Sequence, residues 1–294
     1  MPALAGSPRR RHALAVLETA ASALFFGVMA YLAKRATRRV AGAQVALVRC
    51  AVGLLVALLQ SVVRRVPLRP VRKDLIFLRG LFGGSALLLY FLAIGALPVG
   101  TATLLQYSSP IFTTAFAALL LRERPSLLQL AALAAAAVGV FLVIGGQGTV
   151  LGGAYRWQAI ALASAVLSGA AVTAIRAARR HDGPWEVFAG FSLVGLLVIA
   201  PLAVARWRSP DARTWLLLLA VGGLAVVAQV LMTHALGVVR ATTSGTIGQL
   251  TVVTTLTLGH FVDGEPLSAV AAAGAALTIA GTSLASREPR PAPS

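Results

Sequence analysis

Charged residues are scarce in this chain. Only 12% of its 294 residues are Asp, Glu, Lys or Arg, about half of the roughly 25% found in soluble domains. Hydrophobic residues make up 58% of the sequence. A water-soluble fold cannot bury that much apolar surface, so the composition excludes a soluble globular domain.

Cysteine and paired metal ligands are scarce as well. Cys50 is the single cysteine, which excludes a disulfide within the chain and a cysteine metal site. An intramembrane enzyme would be expected to carry paired acids and histidines or a metal motif. The histidines instead stand singly at predicted helix ends, without HExxH spacing: His12, His181, His234 and His260. We therefore expect no enzymatic activity, no metal and no cofactor.

Long apolar runs take the place of these features. A helix needs about 20 apolar residues to cross the hydrocarbon core of a bilayer, and backbone amides in lipid must be satisfied within the helix. No alternation typical of barrel strands is visible. The sequence predicts an all-α integral membrane protein with ten transmembrane helices, over residues 13–33, 43–63, 75–95, 98–121, 126–145, 157–177, 185–205, 214–235, 238–262 and 267–285. We interpret the first run as an uncleaved span.

The net charge of +17 has two possible explanations. Clustered Lys and Arg can bind nucleic-acid phosphates, but they also accumulate in cytoplasmic loops of membrane proteins. With ten spans and both termini in the cytoplasm, the cytoplasmic segments hold about twice as many Lys and Arg residues as the opposite side. We therefore expect a lipid bilayer, and no nucleic acid, as the environment of this protein.

An internal repeat appears when the chain is compared with itself at a shift of 142 residues. Charged positions coincide, because Lys34 falls on Arg176 and Glu123 on Glu265. Glycines coincide at six pairs: Gly6 and Gly148, Gly27 and Gly169, Gly53 and Gly195, Gly80 and Gly222, Gly95 and Gly237, Gly139 and Gly281. The chain is therefore predicted to contain one five-helix repeat over 1–145, a linker over 146–156 and a second five-helix repeat over 157–294.

Five crossings per repeat place the second copy in the membrane upside down relative to the first. Inverted repeats of this kind are the architecture of many secondary transporters, with the substrate site near the midplane between the copies. Each half could then adopt the conformation of its twin, which gives one state open on each side. The alternative is a duplication kept for stability alone.

Several strings resemble a known family. "FFGVMAYLAK" and "VALVRCAVGLL" are similar to its first two helices, and the stretch from Leu78 to Ser126, with "LQYSSPIF" and the terminal Glu123, resembles its third and fourth helices. "VDGEPLSAVAAAGAALTIAG" repeats the glutamate and the small-residue helix that follows it. Over essentially its whole length the chain resembles the drug/metabolite transporter superfamily, specifically the EamA-like ten-helix transporters.

This resemblance implies a secondary transporter that works without ATP in a bacterial inner membrane. It would export or exchange small metabolites, such as amino acids or related zwitterionic or anionic compounds, by rocking of two five-helix bundles. Multidrug or lipid translocation by the same fold is one alternative, and a membrane subunit without flux is another. We expect a small-molecule substrate as partner, and a monomer or weak homodimer.

Two positions depart from the symmetry of the repeat. Val252 stands opposite Pro110, so the second copy lacks the helix-breaking residue, and Phe191 stands opposite Arg49. A proline inside a helix removes a hydrogen bond and kinks it. We therefore expect a kink at Pro110 only, with Gln106, Tyr107 and Ser109 turned toward a cavity, or else a kink that serves packing alone.

Two cations are candidates for an outer vestibule. A guanidinium within a span costs at least about 2.5–3.5 kcal/mol, so Arg49 should face water or an anionic substrate, unless it snorkels to the interface. Lys34, at the end of the first span, would be a second cation on the same side. Arg79 is expected to be an interfacial anchor or a partner of Asp74.

The remaining candidates are less specific. Tyr90 would contribute to an aromatic wall, and Thr246 and Gln249 would line the cavity from the second copy. Glu18 is the one acid clearly inside an apolar span, so it is a candidate for proton coupling. Glu123 and Glu265 are expected to cap the helices that follow them.

Overall fold

All the secondary structure that the computed structural model describes is helical, which confirms the predicted all-α class. The structure describes residues 8–121, 126–146, 155–264 and most of 269–280. The helices are α1 (Pro8–Thr37), α2 (Gly42–Arg64), α3 (Lys73–Ala96), α4 (Val99–Gln106), α5 (Ser109–Leu121), α6 (Leu127–Gly146), α7 (Tyr155–Ala178), α8 (Pro184–Ala205), α9 (Ala212–Ala235), α10 (Ala241–Ile247) and α11 (Leu250–Asp263).

Six of these helices are long and apolar enough to cross a membrane, namely α1, α2, α3, α7, α8 and α9. Their bounds agree with the predicted spans to within a few residues, except that α1 begins earlier, at Pro8. The tenth predicted span, 267–285, lies partly outside the described residues, and those of its residues that are described are helical.

The fourth and ninth predicted spans are each interrupted near the middle, which corrects the expected role of Pro110. The first break separates α4 from α5 at Tyr107 and Ser108. Pro110 follows it in the first turn of α5, where a helix has no hydrogen bond for proline to remove. Pro110 therefore begins a second helix instead of bending a continuous one.

The second copy breaks at the matching place although it lacks a proline. There α10 ends at Ile247 and α11 begins at Leu250, with Gly248 and Gln249 at positions that the 142-residue shift places opposite Gln106 and Tyr107. Glycine weakens a helix interior, because its backbone loses more freedom on folding. The expectation of a kink in the first copy alone was therefore wrong.

The two halves pack against each other in a reciprocal manner. The first helix of each half packs along the third helix of the other, α1 on α9 and α7 on α3. One serine hydroxyl fixes each contact: Ser22 donates to the carbonyl of Ala228 at 2.7 Å, and Ser164 donates to the carbonyl of Ala86 at 2.6 Å. These two bonds are equivalent under the 142-residue shift, as expected for two halves related by a two-fold axis.

The second helices of the halves, α2 and α8, pack against each other, and α3 also packs on α8. Small residues allow close approach at these crossings. A Cβ built on Gly84 would lie only 2.6 Å from the Cα of Gly195. The backbones of the two halves therefore touch at this crossing.

Lys34 and its twin Arg176 hold the ends of the third helices. The Lys34 ammonium donates to the carbonyls of Ile94 and Leu97 at 2.9 and 2.7 Å. Arg176 donates to the carbonyl of Leu236 at 2.9 Å, the position that matches Ile94. Carbonyls at a helix C-terminus lack partners within the helix and favour a nearby cation. Lys34 and Arg176 thus cap equivalent helices in the two halves.

Two ion pairs and the side-chain amide of Gln44 join the halves at the end of the bundle where α1 finishes. Arg39 pairs with Asp211 at 2.7 Å, and Arg38 pairs with Asp263 at 3.3 Å. The hydrogen bonds that Thr214 donates, followed by Arg39, hold the pKa of Asp211 below its usual range. Gln44 also donates to the carbonyl of Arg208 at 2.8 Å and accepts from its amide at 3.1 Å.

The α3–α8 crossing can be tested by adding one methyl group. Gly84→Ala should lower the stability of the detergent-solubilised protein by about 1–3 kcal/mol, because the added carbon meets backbone that cannot yield. Thermal unfolding would measure the change. Gly223→Ala is the matched control, since a Cβ there meets nothing within 4 Å. Equal midpoints for the two variants would show that the crossing is not closely packed.

Candidate functional site

A cavity of about 150 Å³ lies between the two halves. It would hold on the order of ten water molecules at the roughly 10–15 Å³ that each buried water requires. Its lining includes Thr19 and Ser22 of α1, Gln229 and Met232 near the end of α9, and Ser244 in α10. The cavity extends past the middle of the bundle, because its lining runs along α1 from Thr19 to Met29 and along α3 from Arg79 to Tyr90.

Gln106 anchors one wall through hydrogen bonds to the other half. Its Nε2 donates to the hydroxyl of Ser168 at 2.7 Å, and its Oε1 accepts from the hydroxyl of Ser164. The Ser164 hydroxyl has one proton, which is shared between this oxygen and the carbonyl of Ala86. A polar side chain is thus held at membrane depth by α7, where the cavity wall meets the contact between the halves.

The two helix breaks pack against each other at the wall of this cavity. Tyr107, Ser109 and Pro110 line it from the first break, and Gly245 and Gly248 line it from the second half. A Cβ on Gly245 would lie 3.1 Å from that of Pro110, so the two segments pack closely.

Gln249 connects the two breaks directly. It is almost fully buried, and its Nε2 donates to the carbonyl of Tyr107 at 2.5 Å. Since Gln249 and Tyr107 are 142 residues apart, each residue contacts its own counterpart in the repeat. Two equivalent positions can meet only close to the axis that relates the halves, so the interrupted helices cross at that axis.

Arg49 reaches the cavity from α2. Its side chain is buried, and its guanidinium lies over the ring of Phe191, 5.6 Å from the centroid. Tyr90 lines the cavity from α3 and shares a hydrogen bond of 2.8 Å with the hydroxyl of Thr103. A cation, an aromatic ring and a phenol therefore stand on neighbouring parts of the wall.

Arg79 is a cavity residue that the sequence did not predict. It is 4% exposed, and its guanidinium carbon lies 4.0 Å from the centroid of the same Phe191 ring. Asp74, its expected partner, instead binds Arg72 at 2.6 Å. A signal existed in "RGLFGG", because an arginine followed by glycines one turn later has room to fold over its own helix.

Neither cavity arginine has an acidic partner among the described residues. The Nε atoms of Arg49 and Arg79 are both buried without a hydrogen-bond partner. The described acids lie elsewhere: Glu18 at His234, Asp74 at Arg72, Asp182 at the amides of Val71 and Arg72, Asp211 at Arg39, Asp263 at Arg38, and Glu186 beside Gly183. The described cavity wall is therefore positively charged.

The other candidates have different positions. Glu18 lies one residue from the cavity-lining Thr19, and its carboxylate is 2.7 Å from Nδ1 of His234. Lys34 caps α3 and is not among the described residues that line the cavity. Thr246 is part of α10, but its side chain is outside the described part, as are Glu123 and Glu265.

Comparison with known proteins agrees with this two-fold arrangement. The model of the EamA-like transporter family matches the chain twice, over residues 13–145 and 156–287. The chain belongs to the EamA-like transporter family. It is accordingly an integral membrane protein of the drug/metabolite transporter superfamily, with the two-repeat fold that the sequence predicted.

Characterised relatives of this transporter are also membrane carriers by name. The pseudopaline exporter CntI of Pseudomonas aeruginosa is 29% identical over 221 residues, which cover 75% of this chain and 77% of the relative. Solute carrier family 35 member G1 of Mus musculus is 32% identical over 133 residues, covering 45% of this chain and 36% of the relative. A solved crystal structure superposes with a TM-score of 0.73 and 26% identity, over 92% of this chain and 96% of the other.

The absence of a described acidic partner for Arg49 and Arg79 leads to a prediction about the stability of this transporter. A buried charge that lacks a partner carries a desolvation penalty of several kcal/mol, which an apolar side chain of similar length at the same position avoids. Arg79→Met should therefore raise the unfolding temperature of the ligand-free protein in detergent. Differential scanning fluorimetry measures this directly.

Two other arginines serve as references for that measurement. Arg176→Met removes a helix cap and should lower the unfolding temperature, whereas Arg206→Met changes an exposed side chain and should have little effect. If Arg79→Met is destabilised as strongly as Arg176→Met, Arg79 is a structural residue and not an uncompensated charge.

Proposed function

We propose that this transporter exports or exchanges small anionic or zwitterionic metabolites, amino acids or related compounds, by alternating access between its two repeats. The observation that carries the proposal is the buried Arg49 on the cavity wall, without an acidic partner among the described residues. A substrate carboxylate supplies the missing negative charge. The planar guanidinium can bind it through two parallel hydrogen bonds.

The neighbours of Arg49 suit a small polar substrate. Ser109 and Gln106 line the same cavity and offer hydrogen bonds, while Tyr90 and Tyr107 offer flat apolar faces with a polar tip. A site with a few convergent polar groups in an otherwise apolar wall is the usual form of a small-molecule site. These residues, with Pro110 at the start of α5, form the proposed binding site.

Size and charge argue against the alternative of a multidrug or lipid translocator. A volume of about 150 Å³ matches on the order of ten heavy atoms, far fewer than a lipid contains. Cationic drugs would meet two guanidiniums of the same sign. The names of the relatives support transport of a solute, since one is a pseudopaline exporter and another is a solute carrier.

Contacts between the halves lie at both ends of the bundle. At the end that the charge distribution assigns to the cytoplasm, the Glu18 carboxylate is 2.7 Å from Nδ1 of His234, and Asp182 accepts from the amides of Val71 and Arg72. At the opposite end Arg39 and Arg38 pair with Asp211 and Asp263 of the other half. We infer that these pairs close the outer side and separate when the halves rock, in an inner membrane with both termini in the cytoplasm.

Transport by Arg49 variants tests the proposal. In liposomes loaded with unlabelled amino acids, counterflow of labelled glutamate should fall roughly tenfold or more in Arg49→Gln, because a hydrogen-bonded charge pair contributes about 1.5–3 kcal/mol. Arg206→Gln, exposed at the end of α8, should transport like the wild type. If Arg49→Gln retains full flux, or only hydrophobic cations exchange, the anion assignment is wrong.

Single-cysteine labelling tests the orientation. Cys50 is buried and is the single cysteine of the chain. The substitution Cys50→Ser therefore gives a background without cysteine. In right-side-out vesicles a membrane-impermeant maleimide should label Ser209→Cys, in the exposed segment after α8, and should reach Arg180→Cys, after α7, only once the vesicles are opened. The reverse pattern would place the termini outside.

A further inference from the structure

The second cavity arginine is the feature that the proposed function leaves unexplained. Arg49 and Arg79 come from different helices, α2 and α3, and both guanidiniums lie over the ring of Phe191 in α8, at 5.6 and 4.0 Å from its centroid. The two charges are thus no further apart than the sum of those distances. We call Arg49, Arg79 and Phe191 the arginine pair and its ring.

The first half supplies both cations, so the site is built once and not twice. Under the 142-residue shift Arg49 corresponds to Phe191 itself and Arg79 to Val221. The second half therefore provides the ring at one of these positions and an aliphatic residue at the other. A cation stacks favourably on an aromatic face, so one ring holds both guanidiniums close to each other at the cavity.

Gly83 makes the position of Arg79 possible. It lies one turn beyond Arg79 on α3 and also lines the cavity. A Cβ at this position would be 1.6 Å from an Nη atom of Arg79 and 3.2 Å from the Phe191 ring. Any residue larger than glycine would force the guanidinium out of its place against the ring.

Two buried cations at this distance repel each other, and the repulsion is poorly screened away from bulk water. Within the described part of the chain no acid lies beside them, and the Nε atom of each is buried and unpartnered. One bound carboxylate would neutralise a single guanidinium. An anion with two negative charges would neutralise both.

We propose that the arginine pair and its ring form a site for small dianions, so that the preferred substrate of this cavity carries two negative charges. This inference rests on the proposed function, which it narrows from anionic and zwitterionic metabolites to doubly charged ones. The charges can come from two carboxylates or from one phosphate monoester, since guanidinium forks bind both groups in a bidentate manner. The cavity volume of about 150 Å³ suits a molecule the size of glutarate.

Binding of matched anions to the purified full-length protein tests the inference. Isothermal titration calorimetry in detergent would compare glutarate with pentanoate, which has the same number of carbons and one charge, and would include glycerol 3-phosphate as the phosphate probe. We expect glutarate, glycerol 3-phosphate or both to bind roughly tenfold or more tightly than pentanoate, as a second charge-assisted contact predicts.

Arg79→Gln and Gly83→Ala should remove this preference by different routes. The first deletes the charge and the second displaces it, so both should reduce dianion affinity roughly tenfold more than they reduce pentanoate affinity. A purely structural role would lower both affinities together. Gly223→Ala, with open space around its Cβ, is the control for adding a methyl group and should bind like the wild type.

The outcomes separate the two proposals. If pentanoate and both dianions bind with equal affinity, the dianion site is wrong and the anion transporter stands. If a dianion is preferred but the preference survives in Arg79→Gln and Gly83→Ala, the assignment to the arginine pair is wrong. If no anion binds to the wild type at any concentration reached, both the site and the proposed function fail.

Discussion

The reciprocal packing between the halves is the constraint on which the other features depend. Because α1 lies on α9 and α7 lies on α3, neither half encloses its own third helix. Lipid offers no partner for a backbone carbonyl, and the serines at these contacts donate to carbonyls of the opposite half. The cavity lies between the two halves, so its lining contains residues from both copies.

Much of the fold could be predicted because it follows from periodic properties of the chain. Apolar runs set the lengths of the long helices, and the glycine register revealed the duplication. The break in the second copy was missed because only proline was taken as a breaking signal, whereas Gly248 and the buried bond of Gln249 interrupt that helix. Lys34 was misplaced because its reach to the α3 carbonyls depends on packing between helices.

The site itself was only partly predictable for a related reason. A sequence gives the depth of a residue in the membrane but not the direction in which its side chain points around the helix. Arg49 and Arg79 lie at different distances from their helix ends, which suggested a vestibule residue and an interfacial anchor. Their meeting on one ring follows from the crossing of α2, α3 and α8, where Gly84 and Gly195 bring the backbones together.

The contact between Tyr107 and Gln249 bears on the symmetry of the molecule. In an assembly of two identical subunits, a residue on the symmetry axis faces a copy of itself and must be complementary to that copy. Tyr107 and Gln249 differ at equivalent positions, which a dimer of identical chains cannot achieve. Because the two halves of this chain have separate sequences, the residues at the axis need not be self-complementary, and the lining there can be asymmetric.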